Sequence, residues 1–167
     1  MKLFIKAGFI FTLLALPYSY LYAQSYPNFD IIKLEKPADF RSAEPFAMIT
    51  ANLLLSRPVE KGNADRLKGL EFIIKWMKGT SDHSFIIDDR VSKITNDNDD
   101  LAGLYMAAMT KYTLENKAAS KDAKLVRLNT MILLLQYCEN KENNIKMSKQ
   151  LKKLSEAKAK GELENKW

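Results

Sequence analysis

His83 is the only histidine in the chain and Cys138 the only cysteine. With one imidazole there is no H-E-x-x-H zinc helix and no three-histidine metal centre. A Ser-His-Asp triad would have to use His83, and no G-x-S-x-G turn exists to present its serine. A Cys138–His83 dyad is available by residue type alone. Cys138, however, follows Leu133-Leu134-Leu135-Gln136-Tyr137 in an apolar helical stretch, where burial raises a thiol's pKa and suppresses its reactivity. A single cysteine also leaves no internal disulfide, so stability must come from packing.

The other motifs are weaker. Ser155-Glu-Ala-Lys158 matches the S-x-x-K of penicillin-acylating enzymes, but it has no S-D-N or K-T-G companion and sits in a charged stretch with no walls for an oxyanion hole. Asn96 to Asp100 imitates the start of a calcium loop. Leu101 then stands where that loop needs glycine, and Ala107 where it needs a bidentate glutamate. Helix capping accounts for the acidic run more simply. Met106 and Met109 offer two thioethers, a Cu(I) pattern that among Tyr105, Ala107 and Ala108 reads as core packing. No glycine-rich phosphate loop is present, and no metal or cofactor is expected. Carboxylate chemistry stays open as an alternative: an envelope hydrolase would draw on Asp82, Asp88 or Glu71, two carboxyls facing across a cleft.

Binding is the better-supported expectation. The segment from Trp76 to Phe85 packs Trp76, Thr80, Asp82, His83 and Phe85 into ten residues, two aromatics flanking a polar loop with the sole histidine. That pattern suits a surface for a protein, peptide or envelope component. Its structural counterpart is a tight connection with both aromatics in the core. A third possibility is contact with anionic lipid or another polyanion through Lys146, Lys149, Lys152 and Lys153. That stretch mixes lysine with glutamate, contains no arginine and has only Trp167 as an aromatic, so it lacks the interleaved stacking groups of a nucleic-acid surface.

The elements that must position these residues are helical. Pro45 suits a first helical turn, and Phe46, Met48, Ile49, Leu53 and Leu54 follow it to a stop before Pro58. Asn63 caps a helix whose Leu67, Leu70, Ile74 and Met77 share one face. Phe72, Ile73 and Trp76 widen that face, which marks this helix as the expected centre of the fold, closed by Gly79 as a left-handed C-cap. Residues 80–98 read as an ordered loop with an extended piece or one helical turn. Asn98 caps a helix running to about Ala118 on Leu101, Leu104, Tyr105, Ala108 and Tyr112. Ser120 or Asp122 caps the next, with Leu125, Leu128, Ile132 and Leu135 on its apolar face. A last helix carries Met147, Leu151 and Leu154 and fades into a charged tail at 158–167. The sum is an all-α, single-domain bundle of about five antiparallel helices over 45–157, preceded by a lead at 24–44. The pairs 45–56/64–78 and 99–118/122–139 could form stacked hairpins of the tetratricopeptide type, although no residue signature repeats between them.

The beginning of the chain sets the expected compartment. Lys2 and Lys6 precede an apolar run from Ala7 to Leu16, Pro17 breaks it, and Leu21-Tyr22-Ala23 ends in a small residue. This is the layout of a secretory signal peptide spanning 1–23, with the mature protein exported to the periplasm or beyond. The uninterrupted apolar run is about half the ~20 residues that cross a bilayer. Of 26 Lys+Arg, Lys2 and Lys6 fall in that segment, leaving 24 against 20 Asp+Glu. Residues 140–167 hold eight lysines and four glutamates, so the whole excess lies there and residues 24–139 are neutral.

Asn63-Ala-Asp-Arg66, Phe72-Ile-Ile-Lys-Trp-Met-Lys-Gly-Thr80 and the run from Asn98 to Lys111 resemble a group of small exported proteins from Gram-negative bacteria, with Trp-Met-x-Gly-Thr the most distinctive piece. The resemblance spans roughly residues 45–140. It implies export and a shared helical domain, and it supplies no catalytic residues.

Overall fold

A computed structural model describes residues 25–95 and 98–167; the export segment expected at 1–23 lies outside the described residues. Among those described there are eight α-helices and no strand, so the domain is all-α. The helices are α1 (Pro37–Ser42), α2 (Glu44–Ser56), α3 (Ala64–Gly79), α4 (Asp89–Thr95), α5 (Asp99–Glu115), α6 (Ala123–Glu139), α7 (Lys149–Ala159) and α8 (Leu163–Lys166). Short 3-10 turns fall at Phe29–Ile31, Ala119–Lys121 and Lys141–Asn143. The long helices begin where side chains can take up orphaned N–H groups. Asn63 Oδ1 accepts from Arg66 N at 2.9 Å, Asn98 Oδ1 from Leu101 N at 3.1 Å, and Asp122 Oδ1 from Lys124 N and Leu125 N at 2.9 and 3.1 Å.

Helices α2–α3 and α5–α6 form two hairpins, and α5 lies against both helices of the first as well as α4 and α6. The centre is therefore α5, not α3 as the sequence suggested. Its small residues Ala107 and Ala108 let neighbours approach from several sides, whereas α3 leaves Leu67 53% exposed. The seam of α3 runs along Arg66, Gly69, Ile73 and Trp76, one position behind the expected stripe. On α6 the buried face is Val126, Thr130, Met131, Leu134, Leu135, Tyr137 and Cys138, with Leu125 exposed and Leu128 and Ile132 half-buried.

Three further departures matter. Gly79 is helical: the positive-φ glycines are Gly62 and Gly161. Its role is steric, since a Cβ there would lie 2.1 Å from two ring atoms of Phe40. The lead is structured, with Leu34, Phe40 and Ala43 buried against α3 and α2. The charged end is structured too, because Leu163 and Trp167 join the core beside Leu151 and Leu154. No helix among the described residues is long and apolar enough to cross a membrane.

Candidate functional site

The segment between α3 and α4 is short of secondary structure but heavily anchored. Asp82 takes two hydrogen bonds from the Arg41 guanidinium of α1, one of them at 2.9 Å from Nη2. His83 Nε2 meets Glu44 Oε1 at the start of α2 at 3.0 Å, and the other oxygen of Glu44 accepts from Lys117 Nζ beyond the end of α5. Phe85 sets its ring edge to the Trp76 indole at 5.8 Å, while His83 lies 5.8 Å from Trp76 and 6.3 Å from Phe85. Asp88 caps α4 by accepting from Arg90 N at 3.0 Å, and its carboxylate also accepts from Arg90 Nη2 at 2.8 Å and from Arg127 Nη1 of α6 at 3.2 Å. Residues of five helices, α1, α2, α3, α4 and α6, thus hold nine residues of irregular chain.

Of the residues singled out by sequence, Trp76 is fully buried, and its indole N–H donates to Phe40 O at 2.9 Å. It is a core residue that supports the segment from below. The His83 side chain is only 6% exposed, with Nδ1 buried and bonded to no described group. Phe85 and Thr80 are half-buried, and Asp82 is exposed. The structure brings Trp76, His83 and Phe85 together as a packed aromatic cluster. Thr80 and Asp82 belong to the turn above it, Thr80 Oγ1 accepting from Asp82 N at 3.4 Å.

What the sequence did not reveal is the groove that this cluster backs onto. It measures about 580 Å³ and lies between the 82–86 strip, the first residue of α2, the Ala119–Lys121 turn and the first turn of α6. Met109 and Val126 form an apolar floor, Ile86 an apolar wall, and Lys117, Lys121 and Arg127 a basic rim. Ile86 is 57% exposed, an apolar side chain offered to solvent at the edge of a concavity.

The acids at this site are ionised near neutral pH. Partial burial works to raise the pKa of Glu44, but hydrogen bonds from Lys117 and His83 outweigh it and hold the carboxyl below its ordinary range. The Arg41 guanidinium keeps Asp82 low in the same way, and for Asp88 the bonds from Arg90 and the Val91 N–H overcome desolvation. None of them retains a proton at neutral pH to serve as a general acid. Glu71 is exposed on α3 and does not line the groove.

The remaining motif residues have structural roles. Ser155 Oγ and Lys158 Nζ both bond the carboxylate of Glu139, bolting α7 to α6. Cys138 is buried, and its thiol pKa is pushed up to about 12 by desolvation. Met109 is floor, as core packing anticipated. Lys146, Lys149, Lys152 and Lys153 are exposed, and the apolar side of α7 (Leu151, Leu154 and Ala157) is turned inward. Among the described residues no three His, Cys, Asp or Glu side chains gather as a metal site. Comparison with protein-family models, with curated proteins and with solved structures finds no match to this chain.

Proposed function

We propose that the protein is a non-catalytic binding domain, exported to the cell envelope, that takes its ligand in the groove beside His83. The observation carrying this reading is the groove's lining: an apolar floor and wall under a rim where Lys117 pairs with Glu44 and Arg127 with Asp88, leaving Lys121 as the cation that adds positive charge. Such a surface favours an occupant with an apolar body and a negative group, such as an acidic peptide with one aliphatic side chain. The carboxylate-hydrolase alternative draws less support, because Asp82 and Asp88 are each engaged by arginine.

Ala123 tests the reading, since it lines the groove but is exposed, so Ala123→Trp fills the space without entering the core. Short acidic peptides carrying Leu or Val, titrated into isotopically labelled protein, should shift the amides of His83, Ile86 and Ala123 and lose that effect in the Ala123→Trp variant. Shifts that persist in the variant, or no shifts from any such peptide, would remove the groove from consideration. Export is tested separately: a periplasmic product lacking residues 1–23 is expected, and intact chain confined to the cytosol would refute it.

A further inference from the structure

The positive excess of residues 24–167 belongs to α7, α8 and the turns that flank them. Residues 140–167 carry eight lysines and four glutamates, while residues 24–139 are balanced. Lys158 is paired with Glu139 of α6, and Glu164 with Lys124 of α6. Among the described residues no other side chain of this stretch forms an ion pair, which leaves seven lysines against three glutamates.

Helix α7 sorts its residues by face. Lys149, Lys152 and Lys153 stand at i, i+3 and i+4, all exposed, and Lys160 at the C-cap continues their side. Leu151, Leu154 and Ala157 take the opposite side and are buried. Between α7 and α8 a concavity of about 520 Å³ is edged by Lys153, Lys160 and Lys166, and its acids are Glu156 and Glu162. It shares no lining residue with the groove beside His83.

The chemistry of this face selects its occupant. A protein partner needs apolar or aromatic anchors, and among the described residues no large apolar side chain of 140–167 is exposed. A nucleic acid calls for arginine forks or stacking rings. This stretch has no arginine, and its one aromatic, Trp167, is buried. A helix that inserts into lipid needs its apolar side free, whereas α7 turns its own into the core. What remains is an outer helix face of ammonium groups on flexible stems, complementary to a diffuse layer of negative charge.

We propose that the outer face of α7, with Lys160 and Lys166, rests on an anionic lipid surface, held by charge alone and without insertion. Each lysine close to such a surface strengthens partitioning by about fivefold. None of these lysines lines the groove, so this proposal and the groove reading can fail independently.

The test is sedimentation of the chain lacking residues 1–23 with vesicles of equimolar phosphatidylglycerol and phosphatidylcholine, against phosphatidylcholine alone. The protein should bind the first and not the second. Salt should release it as the Debye length shrinks from about 10 Å at 0.1 M to about 3 Å at 1 M. Tryptophan emission should stay constant on binding, because Trp76 and Trp167 are both buried. Lys149→Gln with Lys153→Gln should weaken binding by about tenfold or more, and arginine at both positions should preserve it. Lys75→Gln with Lys78→Gln removes the same charge from exposed positions of α3 and should leave binding nearly unchanged. All four side chains are exposed, so an unchanged thermal midpoint checks that each variant folds. Equal binding to both vesicles, undiminished binding in the α7 pair, or an equal loss in the α3 pair would overturn the proposal. So would binding that survives high salt or shifts the emission, which means insertion, or tighter binding to duplex DNA than to vesicles at the same salt.

Discussion

Among the described glycines, Gly79 leaves the least room for a side chain, because the ring of Phe40 lies against it. The ring of Phe40 occupies the space a side chain at Gly79 would need, and the Phe40 carbonyl receives the Trp76 indole N–H one turn earlier on α3. Alanine is the better helix former by up to ~1 kcal/mol. Here the ring of Phe40 already fills the space a Cβ would take, so overpacking wins. Gly79→Ala should lower stability by about 1–2 kcal/mol net of the propensity gain, read as a shift in denaturation midpoint. Paired with Phe40→Leu, its cost should fall well below the sum of the two single changes. A stabilised Gly79→Ala variant would mean that Phe40 does not sit against α3.

At the scale of elements, the two ends of the described chain are held by contacts remote in sequence. Trp167 sets its ring at 6.4 Å edge-on to Tyr105 of α5, and its indole N–H donates to Arg127 O at 3.2 Å. Arg90 Nη1 donates to the Trp167 backbone oxygen at 2.7 Å. These bonds fix α8 in the notch between α4 and α6. Trp167→Ala should cost about 3–5 kcal/mol in chemical denaturation, the range for emptying a buried aromatic site. Sequence periodicity marked α2, α3, α5, α6 and α7 because each carries several turns of patterned residues, and Asn63, Asn98 and Asp122 marked three of their starts. It missed α1 and α8, whose one or two turns are too short for a period to show, and offered α4 only as one helical turn alongside an extended piece. It also misplaced the seam of α3, since Arg66 and Gly69 are buried there and neither scores as apolar. The 76–85 segment stood out through its aromatics, but the groove did not. Glu44 and Lys117 meet across 73 positions of sequence, and nothing local to either announces the other.

At the scale of the whole molecule, the described residues form two hydrophobic clusters, and they are not separable. One gathers α4–α8 around Tyr105, Met131 and Leu134; the other gathers the lead, α2 and α3 around Phe40, Ile73 and Trp76. Leu55, Met77 and Phe85 pack against both, and α5 contributes buried residues to each. Unfolding should therefore be a single cooperative transition, with far-ultraviolet ellipticity and tryptophan emission changing together. Acid should weaken it. Glu44, Asp88 and Glu139 tie separate helices together and have carboxyl pKa values below those of the unfolded chain. Such groups stabilise the fold above the unfolded pKa and lose that contribution as pH falls through the folded one. The midpoint should thus hold between pH 7 and about 5 and decline below about 4.5, and Glu44→Gln should flatten the decline.

Trp76 gives the protein an optical reporter of its own. The indole is sealed from solvent yet touches His83, which lines the groove, and Phe85, which packs beside His83. Anything that presses on those rings from outside alters the emission of a fluorophore it never meets. Replacing Trp167 with Phe would leave that signal unmixed, so occupancy could be followed in unlabelled protein by light alone.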